Sequence, residues 1–188
     1  MSRFIALLAF VLTGLSAAAE PQKYSIETDR SEVTFIYQFN GDPVTGEFGI
    51  TKADLEIDFQ TFSKSKVSVA LNTREGHAGF GFATSAMQSA DVLNSDAYPT
   101  ITFESRSVTP TETGAVVTGD VTVRGVTRPL TLDATLFRQR GTEEGDRSKL
   151  SIELKGTLDR HDFGASGYRS FVGPNLDIRV FARIQQVT

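Results

Sequence analysis

Apolar and polar residues alternate with a period of two through almost the whole chain, and that pattern confines it to β-structure. Val33, Phe35, Tyr37 and Phe39 share one parity. Leu55, Ile57 and Phe59 alternate with Asp54, Glu56 and Asp58. Val67, Val69 and Leu71, then Ile101 and Phe103, repeat the pattern, and it returns through Val117–Val123, Leu130–Leu136, Leu150–Leu158 and Leu176–Ile184. Successive side chains of a strand point to opposite faces, so each segment has one apolar and one wet side, as half-buried antiparallel strands require. Asn40-Gly41-Asp42-Pro43, Thr109–Gly114 and Gly141–Asp146 supply turns between them. About eight short strands at this spacing predict an all-β domain, either a sandwich or a closed barrel.

One segment departs from the alternation. From Ala83 to Leu93, apolar residues fall at 83, 86, 87, 90 and 93, which is helical spacing. The spacing predicts one amphipathic helix that plugs an end of the barrel. Gly76, Gly79 and Gly81 precede it and are read as a flexible approach and a candidate gate. Gly125 and Pro129 are read as bracketing a tight turn, and Arg160 and Gly164 as marking a strand end.

The N-terminus sets the expected compartment. Arg3, the apolar run Phe4–Leu15 and the small residues Ser16-Ala17-Ala18-Ala19 have the three regions of a secretory leader. A run of about a dozen apolar residues is short for a bilayer core, which needs roughly 20. Residues 1–19 are therefore expected to be a signal peptide removed before Glu20, leaving one domain over 20–188 in the periplasm. The chain has no Cys, so its fold must stand on packing alone in an oxidising compartment. Its net charge of −4 and the lack of a basic cluster argue against nucleic acid.

Catalytic and metal chemistry finds little to work with. The chain has only two histidines, His77 and His161, and without Cys these make a weak metal site. His161 and Asp162 are neighbours, and on a strand they would diverge, which disfavours a hydrolase triad. Gly76-x-x-Gly79-x-Gly81 has the wrong spacing for a dinucleotide turn. Asp54, Glu56 and Asp58 read as a solvated stripe rather than a calcium site. No cofactor, metal or catalytic residue is expected. The chain is instead rich in Phe, with 14 residues against no Trp. An eight-stranded barrel has an interior just wide enough to be filled by side chains or to hold one small ligand, and composition alone leaves both open.

The motifs resemble the YceI-like family of periplasmic, polyisoprenoid-binding, lipocalin-like proteins. The resemblance runs from Tyr24-Ser25-Ile26 and Ser31–Phe35 through Gly46-Glu47-Phe48 to Ala90–Ser105, Gly119–Leu130 and Arg160-His161-Asp162-Phe163-Gly164. It implies a lipocalin-like antiparallel barrel with one helix, and an elongated apolar cavity for a polyisoprenoid or other long-chain amphiphile. It also implies non-catalytic sequestration or transport, and because a long-chain lipid starts in a membrane that already buries it, transient membrane contact is expected. A homodimer is compatible with it. Val92-Leu93 stands where many members carry two aromatics, and His161 stands where small polar residues are usual. The inward residues expected to bind ligand are Phe35, Tyr37, Phe39 and Phe48, then Leu55, Ile57, Val69 and Leu71, then Phe80, Phe82 and Met87, and finally Phe103, Val121 and Leu132. Tyr37 offers a hydroxyl to a head group, and Met87 an adaptable wall. The competing reading is a filled barrel acting as an interaction or stress-response module without a lipid.

Overall fold

The computed structural model describes residues 20–187; the leader expected over 1–19 lies outside them. Nine antiparallel strands make one sheet: β1 (Gln22–Ile26), β2 (Glu32–Phe39), β3 (Asp42–Ile57), β4 (Lys66–His77), β5 (Thr100–Pro110), β6 (Gly114–Val123), β7 (Val126–Arg138), β8 (Lys149–Asp159) and β9 (Asn175–Gln186). Pairing of β3 with β4 closes the sheet into a barrel. The ring has eight places, because β1 and β2 follow one another in a single place between β3 and β9. A short 3₁₀ turn, Thr28–Arg30, interrupts this shared strand. Ser31 bridges the break: its hydroxyl donates to the Glu27 carbonyl (2.8 Å) and accepts from the Arg183 amide (2.9 Å). Closure leaves no free sheet edge between β3 and β4.

The alternation explains the faces. Along β6, Ala115, Val117, Gly119, Val121 and Val123 are buried and their neighbours are not. Leu130, Leu132 and Ala134 do the same on β7. On β5, Phe103 turns inward and Glu104 lies exposed. Two hairpins use two-residue loops, Asn40-Gly41 and Arg124-Gly125, with φ of 52°, 91°, 55° and 74°. Both central residues at positive φ is the turn whose twist matches antiparallel strands. The β6–β7 turn is thus Arg124-Gly125 alone, and Pro129 sits inside β7 opposite Asp120 rather than at the turn.

The helix is shorter and earlier than its spacing predicts. Helix α1 runs from Gly81 to Gln88. Ser89 stops it, because its hydroxyl donates to the Ala86 carbonyl (2.7 Å) and offers the backbone an alternative to the next helical turn. The chain then reverses through Asn94 at φ 50°, with the Leu93 amide bonded to the Met87 carbonyl. Leu93 is still buried, so the apolar spacing reported packing beyond the helix proper.

The glycines before the helix are packed, not loose. Gly76 belongs to β4, and a Cβ there would lie 2.5 Å from the Phe48 ring. Gly79, at φ 84°, would meet Val44 at 2.6 Å. The acidic stripe also divides. Asp54 and Glu56 pair outside with Lys52 (2.8 Å) and Lys23 (3.8 Å). Asp58 lies beyond β3, buried, accepting the Gln60 and Thr61 amides. His161 and Asp162 lie on a 3₁₀ turn, Arg160–Phe163, not on a strand, and the imidazole faces Asp159 at 3.7 Å.

Candidate functional site: an apolar cavity open at one end

The inward faces do not meet. A cavity of about 510 Å³ runs through the barrel, within the range of ligand pockets, about 300–1,000 Å³. Its cause is visible in the side chains. Phe39, Phe48, Leu71, Phe103, Ile152, Leu154 and Ile178 point inward yet are only partly buried, because no partner reaches them across the interior. The walls differ. On β2 and β3, Phe35 stacks on Phe48 (5.0 Å) and on Tyr37 (6.0 Å). The opposite wall, β6 and β7, is aliphatic: Ala115, Val117, Val121, Leu132 and Ala134. Aromatic faces on one side and small aliphatics on the other leave a slot.

The structure brings most of the anticipated residues together. Phe35, Tyr37, Phe39, Phe48, Leu55, Ile57, Val69, Leu71, Phe82, Met87, Phe103, Val121 and Leu132 all line the cavity. Phe80 stands apart, half exposed, with its ring edge-on to Phe39 at 5.4 Å. The Tyr37 hydroxyl is engaged, donating to the buried Ala78 carbonyl at 2.8 Å. Burial raises the Tyr37 pKa above the usual tyrosine value.

Sequence reading left out much of the wall. Ile152, Leu154, Leu176, Ile178 and Val180 on β8 and β9 line the same space. Their alternation carried that signal. The segment after β8 has no alternation; its Arg160 and Gly164 marked a strand end without showing that Arg160 reaches the cavity. Arg160 lies in the cavity wall, 4% exposed, with no carboxylate paired to it among the described residues. Its guanidinium instead donates to three backbone carbonyls: Gly173 (2.9 Å), Val172 (3.0 Å) and Ala165. Burial first, and then the nearby Arg169 charge, lower its pKa, with Asp159 opposing. Arg160 is thereby the internal brace of the loop from Gly164 to Gly173. Phe163, beside it, is buried in the core.

The two ends differ. Near the start of β1 the barrel is stoppered by aromatics: Tyr24, Phe59 and Phe62 meet edge to face at 6.3 and 5.9 Å, and the Arg147 guanidinium lies 4.5 Å from the Phe59 ring centre. The lining residues that are also exposed are Asn40, Phe82, Tyr168 and Phe171. They lie on the β2–β3 hairpin, α1 and the β8–β9 loop, all at the opposite end. That end is the mouth.

The sequence that builds this closed barrel matches the YceI-like domain over residues 24–184. The chain belongs to the YceI-like family. A YceI-like relative, Protein YceI of Escherichia coli O17:K52:H18, is 32% identical over 149 residues, covering 79% of this chain and 78% of that protein. Two solved structures share the YceI-like fold at low identity. Burkholderia cenocepacia BcnA has a TM-score of 0.74 at 17% identity, covering 85% of this chain and 99% of BcnA. A polyisoprenoid binding domain from Saccharophagus degradans has a TM-score of 0.65 at 10% identity, covering 88% and 99%.

Proposed function

We propose that this protein is a periplasmic carrier that sequesters one polyisoprenoid, or a similar long-chain amphiphile, in the barrel without catalysing a reaction on it. The observation that carries the reading is the hollow interior: a continuous apolar slot, stoppered at one end and open at the other. A barrel filled by its own side chains would serve the interaction-module reading instead. The polyisoprenoid binding domain with the same fold supports the ligand class. Few polar groups reach the slot, and Tyr37 and Arg160 among them are already bonded to backbone carbonyls. The wall therefore offers shape and apolar surface, which suits binding better than chemistry.

Energetics dictate the route. Moving a chain out of water gains roughly 0.8 kcal/mol per methylene. A long chain would soon exceed the practical ceiling for non-covalent binding, about 18–21 kcal/mol. Water is thus the wrong starting point. A lipid already buried in a membrane exchanges with the slot at little net cost, so loading and release go through transient membrane contact. Export through a leader removed before Glu20 places the carrier in the periplasm, beside such membranes.

The decisive experiment purifies the protein gently from its own cell envelope, extracts it with organic solvent and identifies lipids by mass spectrometry. A stoichiometric long-chain lipid is expected, and it should be lost in Phe48→Arg, whose fold is checked by circular dichroism. Absence of lipid, together with no uptake from liposomes, would sink the carrier. Intact mass of the same preparation should show a chain beginning at Glu20, and a chain retaining Met1 or Ser2 in membranes would contradict the export route.

A further inference from the structure

The mouth carries an unusual surface. Phe80 (41%), Phe82 (66%), Tyr168 (38%) and Phe171 (53%) are large apolar side chains left exposed at this one end. Phe82 and Tyr168 pack edge to face at 6.4 Å, and Phe80 rests on Phe39. Three of the four also line the cavity, so the exposed apolar surface and the interior are one continuous surface. Scattered exposed aromatics need no explanation, but a cluster at a ligand mouth does.

The collar is held in place. Tyr168 sits at φ 59°, a conformation a non-glycine residue keeps only when its surroundings impose it. The surroundings are specific. The Gly167 amide donates to the Asp91 carbonyl (2.8 Å), the Asn40 amide to Phe171 (2.8 Å), and the Gly173 amide to Gln38 (3.1 Å). Arg160 clamps the same loop from inside. The chain thus fixes an arrangement in which Tyr168 and Phe171 face solvent on either side of Arg169. Arg169 makes no ion pair among the described residues, and its Nε donates to the Ser166 carbonyl at 3.3 Å.

We infer that this aromatic collar is the surface by which the barrel docks, mouth first, onto a lipid bilayer. The proposal rests on the carrier reading and adds which face makes the contact. Phe and Tyr, with an Arg that can keep its charge among head groups, are the side chains that settle at a membrane interface. Continuity of the collar with the cavity decides the occupant. A bilayer pressed on the collar would extend the apolar path from slot to acyl chains without a water gap, whereas a second copy seated there would close the path. Asp91 lies against the collar loop at Gly167 and offsets the charge of Arg169, so apolar insertion rather than net charge supplies the attraction, and zwitterionic vesicles suffice.

The chain has no Trp, so single-Trp reporters are unambiguous. Phe171→Trp and Phe82→Trp report from the collar. Phe137→Trp reports from an exposed site (46%) at the far end of β7. With phosphatidylcholine vesicles, both collar reporters should shift their emission to the blue and be quenched by brominated acyl chains, while Phe137→Trp stays unchanged. Loading of a fluorescent long-chain prenol from detergent micelles is measured in parallel. Loading without any collar response to vesicles would overturn the docking surface and leave the carrier standing. An equal response from Phe137→Trp would overturn it too. So would a collar shift that needs no vesicles and follows dimer formation in sedimentation, because the occupant would then be a second copy. A collar response without prenol loading would keep the docking surface and remove the carrier.

Discussion

Phe103 and Glu104 are neighbours whose fates differ only through the pleat. Phe103 lines the cavity and lies over Gly119, where a Cβ would come within 2.6 Å of its ring. Phe103→Asp puts a carboxylate into an apolar wall and should cost about 3–5 kcal/mol. Glu104→Lys, on the wet face, should change stability by no more than about 0.5 kcal/mol. Chemical denaturation of both variants checks the inward register, and equal midpoints would refute it. Tyr24 and Tyr37 set a pH response. Burial raises both pKa values; at Tyr24 the charge of Arg147 opposes and that of Asp146 reinforces the rise. The folded state therefore holds these protons more tightly than the unfolded chain. Stability from this source is complete below the ordinary tyrosine pKa of about 10 and falls as pH rises through the folded values. Tyr37→Phe should lose about 1 kcal/mol at neutral pH with its bond to Ala78. It should also show a shallower decline above about pH 10, read from thermal midpoints across alkaline buffers.

At the level of elements, β3 does the most to close the barrel. One of its edges pairs with β2 over the first half and with β1 at the end, while the other pairs with β4 from Glu47 to Glu56 across register shifts at Glu47/Gly49 and Ile50/Lys52. Gly46 stands just before these shifts. A Cβ there would strike the Phe35 ring and the His77 carbonyl oxygen, the latter at 2.6 Å. The ring can swing toward the cavity, but the β4 backbone cannot withdraw cheaply. Gly46→Ala should therefore destabilise by about 1–3 kcal/mol. At Gly49 an added Cβ meets nothing within 4 Å, so Gly49→Ala should lie within about 0.5 kcal/mol of the parent. Paired thermal melts test the contrast. The same element shows why Gly76 and Gly79 misled sequence reading, since Phe48 and Val44 of β3 press on them. Glycine was read there as freedom, but its missing side chain is what lets β4 lie against Phe48. Sequence records the absence of a Cβ but not the ring that occupies the space.

For the molecule as a whole, a slot that binds lipid only in the folded barrel links stability to occupancy. A lipid that binds only the folded barrel adds about 2.7 kcal/mol at a free concentration 100-fold above its dissociation constant. For a domain of this size, each kcal/mol moves the midpoint by about 2–4 °C. Protein loaded with its lipid should thus melt about 5–10 °C higher than delipidated protein, and reloading from liposomes should restore the difference. A midpoint indifferent to delipidation would mean that the slot is not where the lipid resides.

Alternation was enough to place most of the strands and most of their inward residues, because strand side chains obey a local rule of two. Phe35, Val69, Phe103 and Leu132 were legible as inward on parity alone, and the family resemblance rests on motifs readable in order along the chain. Tertiary structure decided what parity cannot encode. Whether inward side chains meet depends on their sizes across the ring, and here aromatic β2 and β3 face small residues on β6 and β7 with space between. Which end opens depends on loops without periodicity, where Arg160 gathers three carbonyls and Tyr168 takes a left-handed turn. Those contacts join residues far apart in the chain, and no local pattern announces them.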